Sequence, residues 1–240
     1  MRAFRLAEIV MTKKINLRGR YFVTGFHGIG WTGYIANRFL VGKVGGRKIG
    51  YLSFEGMRPV IRLWRKEISY PHDLFLVGGN VFLANEAPFP DENTMAITHD
   101  IVRWVGKSRF KAIIVVGGLT QAVRRKDDPP LMGVATSKAK RLMKRYNIPW
   151  MLDDLNIVGP LAGLLLHAER MDLPALALLP FAEARPDRRA AAIAIDKLAD
   201  MLGFKIDTRE LIEAEELERQ IQQMVTAQLK NEEEESYHYM

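Results

Sequence analysis

Four short apolar runs in this chain stop at glycine or proline, and helical patterning separates them. Tyr21-Phe22-Val23-Thr24 runs into Gly25, Leu74-Phe75-Leu76-Val77 into Gly78-Gly79, Ala112-Ile113-Ile114-Val115-Val116 into Gly117-Gly118, and Ala175-Leu176-Ala177-Leu178-Leu179 into Pro180. A run without polar alternation belongs in a strand covered on both faces, which requires helices above and below the sheet. The intervening segments supply them. Tyr34–Val41 opens one helix, and Pro90-Asp91-Glu92-Asn93-Thr94 leads into a second, with Asp91 or Asn93 placed to cap it. A basic helix is expected near Ser137–Tyr146, another near Gly159–Arg170, and a last one over Arg188–Leu202, capped by Asp187 and stopped by Gly203. Lys48–Phe54 adds a strand, and Val60–Trp64 with Glu67–Tyr70 reads as a hairpin. The pattern predicts a three-layer α/β/α sandwich with a largely parallel sheet. No internal repeat or Gly/Ser-rich linker divides residues 1–206, so they read as a single α/β domain.

From Asp207 the character changes. Asp207 and Glu210 have capping-box spacing, and Ala214, Leu217, Ile221 and Met224 make a narrow apolar stripe. The spacing predicts a long helix over 207–230, packed on the body or on a symmetry mate. Residues 231–240 then read as a flexible acidic tail, Glu232-Glu233-Glu234-Glu235-Ser236-Tyr237-His238-Tyr239-Met240. Residues 207–240 carry ten acidic and three basic side chains, −7, whereas the preceding 206 residues carry thirty-two basic and eighteen acidic, +14. The basic residues are scattered and no familiar nucleic-acid motif accompanies them, so the charge does not point to DNA or RNA.

The chain has no cysteine, which excludes disulfides and thiolate metal sites. Its longest apolar runs are far below a membrane span, and residues 1–8 lack the apolar core of a secretory signal. A cytoplasmic protein without membrane contact is expected. Met11 is a second candidate start. Asp153-Asp154 is the nearest approach to a paired acid site, but neighbouring strand residues point to opposite faces, so a loop or cap role is expected and no metal site is assigned. His72, His99 and His167 are isolated in sequence, and His27 has no identifiable acid or nucleophile beside it.

Gly28-x-Gly30-x-x-Gly33 follows a strand and opens a helix, and Glu55 ends the next strand where a ribose-binding acid can sit. One reading is a nucleotide- or phosphate-binding enzyme using Gly28, Gly30, Gly33 and Glu55. The other is that the glycines let the strand-to-helix turn pack closely on a neighbouring loop or subunit.

The segment Gly25-Phe26-His27-Gly28-Ile29-Gly30-Trp31-Thr32-Gly33-Tyr34 and its continuation to Leu40 resemble the opening signature of the proteasome assembly chaperone 2 family, in its archaeal branch. Similar segments follow in order: Val115–Gly118, Gly159–Leu166, Ala175–Pro180, Pro186–Ala192 with Gly203–Asp207, and Glu210–Met224. The resemblance implies a phosphorylase/hydrolase-like fold, homo-oligomerisation, no catalytic activity, no cofactor, and a structural role for the glycine motif. It also implies a C-terminal hydrophobic-Tyr-any motif that docks between α-subunits of the 20S proteasome. Here Tyr239 matches the tyrosine, Met240 supplies the terminal carboxylate, and His238 stands at the hydrophobic position, a departure that protonation below about pH 6.5 would make charged. The ten residues after Lys230 would average roughly 17 Å as a flexible tail and reach at most about 35 Å.

Overall fold

The computed structural model describes residues 6–216. In chain order the elements are β1 (Ala7–Met11), β2 (Tyr21–Gly25), α1 (Thr32–Lys43), β3 (Arg47–Phe54), β4 (Arg62–Trp64), β5 (Glu67–Ser69), β6 (His72–Val77), β7 (Asn80–Asn85), α2 (Thr94–Lys107), β8 (Ala112–Val116), β9 (Leu119–Thr120), β10 (Leu131–Ala135), α3 (Lys140–Arg145), α4 (Gly159–Arg170), β11 (Ala175–Ala182) and α5 (Arg188–Leu202). Nine strands form one sheet in the order β1-β3-β6-β7-β2-β8-β11-β10, with β9 beside the end of β11, and β4 and β5 form a separate hairpin. Helices α1 and α5 pack together against one face, and α2 and α4 against the other. The chain is therefore an α/β/α sandwich around a mixed sheet.

Parallel pairing is confined to the centre. β7, β2, β8 and β11 run the same way, whereas β6, β3 and β1 on one flank and β10 on the other pair antiparallel. The expectation of a largely parallel sheet rested on reading Gly78-Gly79 as the end of a strand, like Gly117-Gly118. Both Gly78 and Gly79 have positive φ, 50° and 84°. A two-residue turn of that kind sends the chain straight back, so Asn80–Asn85 becomes a strand of its own. Every residue of β2, β8 and β11 is buried, as their unbroken apolar character requires. Phe22, Phe82, Ile113, Ile114 and Ile101 are wholly inaccessible, each contributing about 1.5–3 kcal/mol by burial.

The helix ends follow local chemistry. Asp187 caps α5 as its sequence suggests: Oδ1 accepts from the Ala190 N–H (2.8 Å) and Oδ2 from the Glu183 N–H (2.9 Å), while Gly203 leaves the helix at φ 74°. At α2 neither Asp91 nor Asn93 caps through its side chain. Those residues instead form a 3₁₀ turn, in which the Asn93 N–H donates to the Pro90 carbonyl (3.1 Å) and the Thr94 N–H to the Asp91 carbonyl, so the two backbone donors that an Asp91 cap would serve are already engaged.

The described residues 207–216 belong to a second unit. Within it residues 209–216 are helical, and Asp207 accepts from the Arg209 N–H (3.0 Å) and pairs with its guanidinium (2.6 Å). Leu217, Ile221, Met224 and the tail His238-Tyr239-Met240 lie outside the described residues.

Candidate functional site

Strand β2 carries Gly25 at its end, and the chain then turns through Phe26–Trp31 into α1. Three of the four glycines here are demanded by packing. A β-carbon on Gly25 would lie 2.2 Å from the Gly33 carbonyl oxygen, and one on Gly33 would lie 2.2 Å from the Val116 carbonyl oxygen. Gly30 has φ 66°, and a β-carbon there would lie 2.6 Å from Ala182 Cβ. Its carbonyl also accepts from the Asp187 N–H (2.9 Å). The motif thus seats the start of α1 directly on the ends of β8 and β11. Gly28 is different: its backbone is ordinary (φ −107°, ψ −152°), and a β-carbon there meets nothing within 4 Å.

The dinucleotide arrangement needs the acid-bearing strand beside the glycine strand. Here β7 and β6 stand between β2 and β3, so Glu55, exposed in the turn after β3, is displaced by about three strand spacings, roughly 14 Å. The structure does not bring Glu55 to Gly28, Gly30 and Gly33. The Tyr34 N–H in the first turn of α1 is already donated to the Phe26 carbonyl (3.2 Å), removing one donor that a phosphate would use.

Beside this turn lies a cavity of about 360 Å³, at the carboxyl ends of β2, β8 and β11. Open α/β sheets place ligands at such strand ends. Phe26, Phe89, Leu119, Leu161 and Leu179 supply apolar walls, and Gly28, Gly117, Gly118 and Gly159 supply bare backbone. Its polar side chains are His27, Asp91, Thr94, Thr120 and Asn156. No Lys or Arg occurs among the described residues that line it.

Behind the turn is a polar network that sequence reading missed, because it hangs on the unread strand β7. His72 is fully buried, and its Nδ1–H donates to Asn85 Oδ1 (2.9 Å). Asn85 in turn donates to Thr24 Oγ1 and the Gly25 carbonyl, both at 3.0 Å, tying the outer hairpin to the end of β2. Burial pushes the His72 pKa down to about 4, so the ring is neutral at neutral pH. Next along the chain, Glu86 accepts from the Tyr34 hydroxyl (3.0 Å) and pairs with Arg62 (2.8 Å) and Arg38 (3.5 Å). His27 stacks on Tyr34 with centroids 4.1 Å apart, and burial lowers its pKa, outweighing the opposing effect of Glu86. Within this cluster the carboxylate, amide and hydroxyl groups engage one another, whereas His72 Nε2 and His27 Nδ1 are buried without a hydrogen-bond partner. The other sequence candidates are dispersed: Asp153 and Asp154 are exposed in a turn before α4, and His167 bonds the Met95 carbonyl (3.0 Å) with its ring 5.3 Å from that of His99. Among the described residues no group of His, Asp and Glu is placed to hold a metal ion.

A second feature is the β4–β5 hairpin, whose polarity is reversed. Its inner face carries Arg62, held by Glu86, and Trp64, whose ring meets Phe75 edge-on at 5.2 Å. Its outer face carries Leu63 and Ile68, directly opposed across the strands and 68% and 60% exposed, with Ile61 two residues before at 72%. Sequence reading gave the hairpin but not which face meets water, since both faces contain large apolar residues.

A sequence profile of the PAC2 family matches residues 22–225. No curated protein sequence matches the chain. Among solved structures, PbaA of Pyrococcus furiosus, an archaeal homologue of a proteasome-assembly chaperone, superposes with TM-score 0.80 at 23% identity, over 98% of this chain and 99% of that one. PbaB of the same organism, an archaeal proteasome activator, gives 0.77 at 16% identity, over 93% and 100%. A PAC2 family protein from Streptomyces avermitilis gives 0.64 at 19%, over 85% and 95%. With the profile spanning the sandwich from its first central strand through its last helix, the chain belongs to the PAC2 family.

Proposed function

We propose that this PAC2-family protein is a non-enzymatic, homo-oligomeric chaperone or adaptor for the 20S proteasome, acting in the cytoplasm. The observation that carries the reading is the likeness along nearly the whole chain to PbaA and PbaB, one a homologue of a proteasome-assembly chaperone and the other a proteasome activator. His238, Tyr239 and Met240 are the proposed docking residues, engaging pockets between α-subunits, with Tyr239 filling an apolar slot. Several tails on one oligomer would engage a ring together, and avidity would strengthen weak individual contacts by orders of magnitude. The outward apolar face of the β4–β5 hairpin supports association between copies, since a contiguous apolar patch of this kind commonly marks an interface. Among the described residues no helix is long and apolar enough to cross a membrane.

Reconstitution tests the assembly role. Separated proteasome α- and β-subunits are mixed with and without the full chain, and 20S particles are quantified by native gel and peptidase activity. Faster or more complete assembly is expected; identical time courses would contradict the proposal.

A further inference from the structure

We propose that the cavity at the carboxyl ends of β2, β8 and β11 is a binding site for a compact, uncharged aromatic molecule seated over the bare backbone of Gly28. The proposal stands apart from the proteasome reading and uses the one glycine of the motif that packing leaves unexplained. Gly25, Gly30 and Gly33 are each fixed by a close neighbour, and Gly30 also by its positive φ. Gly28 has neither constraint, yet it lines the cavity with open space where a side chain would stand. A glycine in that setting allows close approach of a ligand to the main chain.

Volume and chemistry narrow the ligand. The cavity holds about 360 Å³, within the range of small-molecule sites and more than twice the roughly 150 Å³ of an apolar cavity that takes up benzene. A bicyclic aromatic ring is therefore of suitable size. Phe26 and Phe89, edge to face at 5.3 Å, form an aromatic wall of the kind that receives another ring. The floor is main chain, because a side chain on Gly117 would strike Leu161 and one on Gly118 the Ile29 carbonyl. Charge selects against anions: no described lining residue is cationic, Asp91 contributes a carboxylate, and His27 is held toward its neutral form by burial. A phosphate or carboxylate buried here would have no cationic partner among the described lining residues, which is costly. The same absence argues against a nucleotide at this turn.

Isothermal titration of the full chain with indole tests the site, with adenosine monophosphate and benzoate as charged arms. Gly28→Leu sets a bulky side chain in the open space beside this exposed lining residue, Gly28→Ala a small one, and Gly42→Ala is a control, since Gly42 in α1 also has open space. Saturable indole binding is expected, weakened about tenfold or more by Gly28→Leu, less by Gly28→Ala, and unchanged by Gly42→Ala, with little response to the charged arms. Thermal melts accompany each variant, and if Gly28→Leu fails to fold, Gly28→Ala decides. No saturable indole binding, equal binding by the folded Gly28 variants, or tighter binding of adenosine monophosphate would overturn the proposal.

Discussion

Gly33→Ala should be far more damaging than Gly28→Ala, although both belong to one motif and both exchange hydrogen for methyl. At Gly33 the added carbon would lie 2.2 Å from the Val116 carbonyl oxygen and 2.8 Å from the Phe26 nitrogen. Both neighbours are main chain, one at the end of a central strand, so relief requires moving α1 away from the sheet. Overpacking against well-fixed atoms costs about 1–3 kcal/mol and occasionally more. Alanine in a helix returns up to about 1 kcal/mol relative to glycine. With backbone on both sides the upper end of the first range applies, and the net loss should be about 2 kcal/mol or more. For a domain of this size that lowers the melting temperature by roughly 4–8 °C. Gly28→Ala meets open space at φ −107° and should lie within about 0.5 kcal/mol of wild type, or gain slightly from a stiffer unfolded chain. Urea unfolding followed by circular dichroism, at one fixed protein concentration, measures both. A Gly33→Ala midpoint matching wild type, or a Gly28→Ala loss as large as that of Gly33→Ala, would refute the packing account of the motif.

Asp187→Ala removes the acceptor of the Ala190 and Glu183 N–H groups and should cost about 1–2 kcal/mol in the same assay, with Asp187→Asn restoring part of it. His72 has its folded pKa pushed down to about 4 from 6.5, so between those values the unfolded chain binds the extra proton and stability falls as pH falls. The effect approaches the order of 3 kcal/mol near pH 4, and His72→Gln should flatten the stability–pH profile across that window; an unchanged slope would contradict it. On the proposed association between copies, Ile68→Lys on the outer face of the β4–β5 hairpin should lower the particle mass measured by light scattering while leaving the melt of the isolated subunit within about 0.5 kcal/mol of wild type.

The sandwich was legible wherever an element carried its own signal. β2, β8 and β11 announce themselves by unbroken apolar runs, and α5 by Asp187 and Gly203 at its ends. β7 and β10 were not read, because Val81-Phe82-Leu83-Ala84 follows a glycine pair that looks like a strand terminus, and Leu131–Ala135 is short and follows a charged loop. Sheet order, which separates Glu55 from the glycine turn, is set by tertiary pairing and leaves no local trace. The glycine motif illustrates the same limit: spacing alone does not distinguish Gly33, pressed against Val116, from Gly28, which faces open space. The His72–Asn85–Thr24 network joins three strands that only the fold brings together.

Binding to the purified 20S core particle tests the central claim most directly. The full chain and a chain lacking Tyr237–Met240 are each sedimented with the particle at equal concentration. Co-sedimentation of the full chain, lost on removal of those four residues, is expected. Equal association of the two chains would contradict docking through Tyr239, and no association of either would contradict a proteasome-directed role altogether.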